Sequence, residues 1–295
     1  MAHDASHYLL TPKIVAVPKN VSEVAAIMSK ASVTGAHMTF RSGGTSLSGQ
    51  AGSDEILIDT RSGFKKINVL ENGLKVQVEP GATLVSVNAR LMRHKRVLGP
   101  DPASIVACTI GGVIANNSSG MTCGTHANSY KTIDSLKIIL PSGTYLDTSE
   151  NDADNKLRKI EPDIYAGLIA LRNRIRSNPD SMAKIKKLYS IKNTIGYGLN
   201  SFVDFDRPID ILEHLIIGSE GTLAFVAEAT FNTLPLNTHF ATGLLIFKDF
   251  DAACQAIPEL ISAQFGTIEM LDSASLKVAQ ADPIAPVELK NMKIT

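Results

Sequence analysis

Apolar residues recur along this chain first at helical spacing and then in short runs, and the two rhythms alternate. Val21, Val24, Ala25, Met28 and Ala31 fall on one helical face. Asn20 followed by Glu23 makes a capping-box pattern in front of them, and Gly35 stands where such a helix stops. Short apolar runs predict strands over 37–40, 56–59 and 74–78, with Val76 and Val78 sharing a face. Glu79-Pro80-Gly81 turns the chain into a second helix, with Thr83 as N-cap and Leu84, Val87 and Leu91 inward. Residues 137–140 and 144–147, joined by Pro141-Ser142-Gly143, predict a hairpin.

Residues 150–156 are polar and charged and predict an exposed connection. Beyond them Ile164, Leu168, Leu171 and Ile175 mark an amphipathic helix ending near Asn178-Pro179, with Arg172, Arg174 and Arg176 on its solvated face. A short helix over 209–215 leads through a turn into an alternating strand over 225–231. From Phe240 the pattern predicts a strand over 244–247, a helix over 251–265 interrupted or bent at Pro258, a strand over 267–271 and a short final helix. Strands interleaved with helices indicate a mixed α and β layout.

At 295 residues and 44% hydrophobic content the chain can bury one large core or two ordinary ones. Its net charge is zero, so no global basic field recommends nucleic acid as a partner. The first residues lack the charged-then-apolar layout of a signal peptide, and no apolar run approaches the ~20 residues of a membrane span. A cytoplasmic location without a membrane span is therefore expected. Cys108, Cys123 and Cys254 are odd in number and far apart, which argues against a disulfide framework, an iron–sulfur cluster or a zinc site. They are expected to act as small apolar residues. Of seven histidines only His3 and His7 are four apart, at the terminus, so no metal site is expected.

Residues 40–50 read Phe-Arg-Ser-Gly-Gly-Thr-Ser-Leu-Ser-Gly-Gln. Adjacent glycines flanked by small hydroxyl residues let the backbone turn sharply and aim several N–H groups at one point, as an anionic diphosphate requires. A plain surface turn would have the same composition. The dinucleotide fingerprint of a Rossmann fold spaces its glycines as Gly-x-Gly-x-x-Gly, so a diphosphate here would be held by loop amides rather than by a helix N-terminus. Residues 99–120 carry a second pattern, in which the apolar segment 113–115 is bracketed by Gly111-Gly112 and by Asn116-Asn117-Ser118-Ser119-Gly120. Backbone amides and small side chains would line a crevice there for a large planar ligand, or the segment would simply pack close to a sheet.

Together with Ile-Gly-Ser-Glu-Gly-Thr-Leu at 217–223, these stretches resemble the FAD-binding domain of the vanillyl-alcohol-oxidase type flavoproteins. Within that superfamily the chain is most similar to FAD-linked D-2-hydroxyacid dehydrogenases of the D-lactate and D-2-hydroxyglutarate type, over roughly residues 10–235. The resemblance implies an α+β fold: a PCMH-type FAD-binding domain of two α+β subdomains over residues 1–236, then the beginning of an α+β substrate cap domain over 237–295. It implies that Ser42, Gly43, Gly44, Thr45, Ser46, Leu47, Pro100, Thr109, Gly111, Gly112, Asn116, Ser119, Gly120 and Ile217 hold FAD. Many relatives place a histidine after the glycine pair and link it to the flavin. Thr45 cannot form that bond, so non-covalent FAD is expected.

The activity implied is oxidation of a small D-2-hydroxyacid to the 2-oxoacid by hydride transfer to flavin N5, with electrons passing to a quinone, cytochrome or electron-transfer protein. Lys192, Tyr197 and Asn200, in a loop rich in amides and glycine, are candidates for the substrate side, or members of an ordinary loop. Glu220 is more naturally a turn carboxylate than an acid or base. The His-rich catalytic motif and the substrate-binding Arg and Lys of the relatives' cap are not found here, so the catalytic residues are unknown and the chain is expected to be a truncated product or one piece of a longer protein. Two other readings stay open: a flavin-holding domain or subunit without complete catalysis, and an NADPH-dependent reductase of the same fold, such as the enolpyruvyl-glucosamine reductases.

Overall fold

Strand β1 (Ile14–Ala16) leads into helix α1 (Val21–Thr34), whose start is the capping box read from sequence. Asn20 Oδ1 accepts the Glu23 amide at 2.9 Å, and Glu23 Oε2 in return accepts the Lys19 amide at 2.8 Å. Gly35 closes the helix in the left-handed region at φ 69°. Strands β2 (Met38–Arg41) and β3 (Ile56–Asp59) complete a parallel sheet of order β1-β3-β2, with Arg41 opposite Asp59. Neighbouring parallel strands cannot be joined by a tight turn. Residues 42–55, which contain the glycine pair, make that connection as a long loop.

These coordinates come from a computed structural model that describes residues 1–293. The next elements are β4 (Ile67–Leu70), β5 (Lys75–Val78), α2 (Leu84–Leu91), β6 (Arg96–Val97) and α3 (Ile110–Asn116). They are followed by α4 (Ser129–Thr132), β7 (Ile133–Ile139), β8 (Tyr145–Asp147), α5 (Ala153–Ile160), α6 (Pro162–Arg176) and α7 (Pro179–Leu188). Then come α8 (Ser201–Asp204), α9 (Pro208–Ile216), β9 (Phe225–Asn232) and β10 (Leu234–Pro235). An antiparallel sheet of order β4-β5-β9-β7-β8 forms the second layer. Strand β9 arrives from far along the chain and inserts between β5 and β7, so Phe231 faces Val76 and Ala229 faces Leu136.

The main core gathers Val76, Val78, Leu84, Val87, Leu91, Ile110, Ile114, Leu136, Ile138 and Phe231. A smaller core joins the two sheets, where Val24 and Met28 of α1 meet Phe64, Ile139, Phe225 and Ala227. Phe40 at the end of β2 stacks on Phe225 with ring centroids 4.9 Å apart, and Phe64 meets the same ring edge-on at 5.7 Å.

Three expectations need correction. Residues 150–156 are not a simple exposed connection, because α5 starts at Ala153 and buries Ala153 and Leu157 completely. The charges around that pair hid its four-residue spacing. The predicted strands over 244–247 and 267–271 do not form. A strand needs a hydrogen-bonded neighbour, and among the described residues no other segment pairs with either. Helix α10 (Phe250–Ser262) runs through Pro258 as one helix, followed by α11 (Ser273–Ala281) and α12 (Val287–Lys290).

The chain divides into two units, Met1–Leu236 and Asn237–Thr295. No described side chain of the second unit is buried. Among the described residues no helix is long and apolar enough to cross a membrane.

Candidate cofactor site

The loop that leaves β2 is held at its base by Arg41. This guanidinium is 3% exposed and donates from Nε to the Ala51 carbonyl at 2.7 Å, from Nη1 to His3 O at 2.9 Å and from Nη2 to Met1 O at 3.1 Å. Gly44 adopts φ +68°, and a Cβ there would lie 3.0 Å from Arg41 Nη1. A Cβ on Gly43 would lie 2.7 Å from the Ala107 carbonyl, so the loop packs its backbone directly against the next segment. Ser42 Oγ bonds to the Thr109 hydroxyl and accepts the Gly112 amide at 3.0 Å.

The facing wall differs from its expected form. The segment around 113–115 is not a loop but helix α3, with Gly111 and Gly112 in its first turn. Ile110, Val113 and Ile114 have the spacing of one helical face and are 0–1% exposed, and this burial outweighs the low helix propensity of the two glycines. The first-turn amides are already engaged: Ile110 donates to Ala82 O at 2.9 Å, Gly111 to Pro80 O at 2.9 Å and Gly112 to Ser42. The amides of residues 43–47 donate to no protein acceptor among the described residues. Residues 43–47 thus carry consecutive N–H groups without a protein partner, the kind of group an anionic diphosphate takes.

At the far end of α3, Asn117 and Gly120 take positive φ. A Cβ on Gly120 would fall 2.1 Å from the Asp101 carbonyl, so only glycine fits. Asp101 fixes this turn: its amide donates to Ser119 O at 2.8 Å and its Oδ2 accepts the Thr122 amide at 3.0 Å. Glu220, at φ 55°, accepts from Asn116 Nδ2 at 2.7 Å while its amide donates to Ala115 O at 2.8 Å. It braces the turn against α3. Lys192 Nζ reaches the Gly120 carbonyl at 3.0 Å.

These walls enclose a cavity of about 560 Å³. Ser42, Gly43, Gly44, Thr45, Ser46, Leu47, Thr109, Gly111, Gly112, Asn116, Ser119, Gly120 and Lys192 all face it. The volume lies inside the roughly 300–1,000 Å³ typical of small-ligand sites. Pro100 is buried but does not line it. Ile217 is 1% exposed and faces a second cavity of about 220 Å³, while its neighbour Ile216 faces the first. Asn200 also lines the second cavity, and Lys192 and Thr194 line both. Tyr197 lines neither, and its hydroxyl shares a hydrogen bond with Thr222 Oγ1 at 2.8 Å. Sequence reasoning passed over Phe40, Asp101, Ser104 and Phe225. Asp101 and Ser104 lay inside the stretch already singled out, but nothing in their spacing marked a role.

The titratable groups close to these cavities are structural in character. Tyr130 donates to Asp204 Oδ2 at 2.9 Å, and burial together with that carboxylate pushes its phenol well above the usual value. His214 stacks on Phe205 with centroids 3.9 Å apart, and burial holds it below the ordinary histidine value. Glu213 accepts a hydrogen bond from the Thr148 hydroxyl, and burial pushes its carboxyl up to about 7. Burial also raises the thiols of Cys108 and Cys123, which removes them from nucleophilic chemistry at neutral pH. Among the described residues no group of His, Cys, Asp or Glu is placed to hold a metal ion.

Residues 12–149 match the FAD binding domain family. The chain is 27% identical over 294 residues to a D-2-hydroxyglutarate dehydrogenase of Haemophilus influenzae, covering 96% of this chain and 28% of that protein. It is 27% identical over 281 residues to the glycolate oxidase subunit GlcD of Escherichia coli, covering 93% and 46% of the two chains. The chain thus spans less than half the length of these relatives. Among solved structures, an alkyldihydroxyacetonephosphate synthase superposes with a TM-score of 0.60 at 18% identity, covering 92% of this chain and 41% of that one. This last likeness concerns the fold.

Proposed function

We propose that this chain, whose residues 12–149 match the FAD binding domain family, is the flavin-holding part of an FAD-dependent oxidoreductase acting on a small D-2-hydroxyacid. The observation that carries the cofactor reading is the run 43–47, whose amides donate to no protein acceptor among the described residues and whose residues all line one cavity together with Ser42, Thr109, Gly111, Gly112, Ser119 and Gly120. The relatives named for D-2-hydroxyglutarate and glycolate support the substrate class.

The chemistry FAD supplies when bound is acceptance of the acid's α-hydrogen as hydride at N5. The chain's own contribution is binding and orientation. Amides 43–47 with the hydroxyls of Thr45 and Ser46 would hold the diphosphate, while Asn116, Ser119 and Gly120 would line the crevice for the ring system. Phe40 and Phe225, stacked on each other, give the cavity apolar lining. Thr45 leaves the cofactor non-covalent. Residues 237–295 would open the substrate cap, and the electrons would pass to an acceptor such as a quinone, cytochrome or electron-transfer protein.

The charged side chains lining the cavity are tied to its walls: Glu220 accepts from Asn116, and Lys192 donates to Gly120. That arrangement favours a holding role over complete turnover by the chain alone. The test is the absorption spectrum of the purified chain after loading with FAD, followed by anaerobic addition of D-2-hydroxyglutarate, D-lactate or NADPH. Flavin retention supports the holding role, and bleaching by a hydroxyacid but not by NADPH supports the substrate class as well. Failure to take up FAD overturns it, and bleaching by NADPH alone makes the protein a reductase of the same fold.

A further inference from the structure

Residues 1–10 form no helix or strand, yet they meet the glycine loop that follows β2 along its whole length. The Ala5 amide donates to the Gly44 carbonyl at 2.9 Å. A Cβ on Gly49 would lie 2.5 Å from Tyr8 Cδ2, and one on Gly52 would lie 3.2 Å from Leu10 Cδ1, so both glycines make room for the side chains packed on them. At the base of the loop Arg41 binds the carbonyls of Met1 and His3 with the same guanidinium that holds Ala51. The segment is also tied to itself, since Asp4 Oδ1 accepts the Ser6 amide at 2.8 Å.

The contact at Gly44 decides the direction of one amide. A trans peptide unit is planar with its C=O and N–H opposed, and no cis peptide bond occurs among the described residues. With the Gly44 carbonyl turned to the Ala5 amide, the Thr45 N–H of the same peptide unit points away from residues 1–10. That N–H belongs to the run without a protein acceptor, and Thr45 lines the larger cavity. Gly44, at φ +68°, is the residue type least able to fix a peptide plane by its own sterics. The orientation is therefore set from outside the loop.

We propose that Ala5 is a positioning residue for the cofactor: by holding the Gly44 carbonyl, in a segment itself fixed by Arg41 and Tyr8, it keeps the Thr45 amide aimed at the flavin's diphosphate. The inference rests on the flavin-binding reading given above and adds to it a role for residues 1–10.

FAD is titrated into the chain by flavin fluorescence, and the phosphorus NMR and visible absorption spectra are recorded at saturating FAD. Ala5→Pro removes the donor at an exposed position. It should weaken FAD binding about tenfold, the scale of one hydrogen bond to a charged group, and move the phosphorus resonances while the flavin band stays in place. A general loosening of the site would shift the band as well, and that result overturns the proposal. Tyr8→Ala tests the same segment without touching a backbone donor and should weaken FAD binding in the same sense, whereas Tyr8→Phe keeps the ring against Gly49 and should restore it. Unchanged affinity in Ala5→Pro, unmoved phosphorus resonances, or a Tyr8→Phe chain as weak as Tyr8→Ala also overturns the proposal; where Ala5→Pro does not fold, the Tyr8 pair decides. A parent chain that binds FAD while the variants do so equally well leaves the flavin reading standing, and a parent that takes up no FAD sinks both.

Discussion

Ser42 accepts the Gly112 amide on its side-chain oxygen at 3.0 Å, which ties the loop leaving β2 to the first turn of α3 across a long stretch of sequence. Replacing Ser42 with Ala leaves that amide without its acceptor, at a cost of roughly 1–3 kcal/mol. Urea unfolding of the flavin-free chain should show the loss. A Thr at the same position keeps the oxygen and should recover most of it. An unchanged midpoint in Ser42→Ala would mean that the two walls are held together by other contacts.

Gly44→Val should abolish flavin retention while Cys123→Ser leaves it nearly intact. Gly44 stands at φ +68° with Arg41 already 3.0 Å from where a Cβ would go, so a β-branched residue is both strained and crowded there. Cys123 is buried and carries no chemistry that the site uses. The measurement is the ratio of flavin to protein absorbance after gel filtration. Equal ratios for the two variants would rule out the loop as the diphosphate holder.

Thr45 faces the cavity, and a threonine hydroxyl cannot form a histidyl bond to a flavin. Acid precipitation of the FAD-loaded protein should leave the flavin in the supernatant, with an intact mass equal to that of the polypeptide. Yellow precipitate, or a mass raised by one flavin, would contradict this.

Glu213 makes stability depend on pH in a direction opposite to most carboxylates. Burial raises it from 4.5 to about 7 in the folded chain, so the folded state holds the proton longer than the unfolded one. Its contribution is fully present below about 4.5 and is lost as pH rises through about 7, a change on the order of 3 kcal/mol. His214 acts the other way, since its depressed value costs stability as pH falls below the ordinary histidine range. Comparing Glu213→Gln with the parent isolates the carboxyl: unfolding midpoints at pH 5 and pH 7.5 should differ less unfavourably in the variant. Parallel pH profiles for the two proteins would show that Glu213 titrates normally.

The sequence by itself determined the elements whose signals are local. The Asn20–Glu23 capping box, Thr83 as an N-cap accepting the Ser86 amide, and the inward faces of Val24 and Met28 and of Leu84, Val87 and Leu91 all stand as the spacing predicts. The FAD-binding fold was legible too, because three glycine-rich stretches in a fixed order are a chemical pattern that needs no coordinates. Tertiary structure decided what depends on neighbours. Residues 110–116 became a helix because Ile110, Val113 and Ile114 found a core to fill, and a Gly-Gly pair gives no local sign of that. Residues 244–247 and 267–271 have strand composition but found no ladder partner among the described residues. Ile217 turned to the smaller cavity and Ile216 to the larger, since a single residue's rotation at the end of α9 decides which side chain faces where.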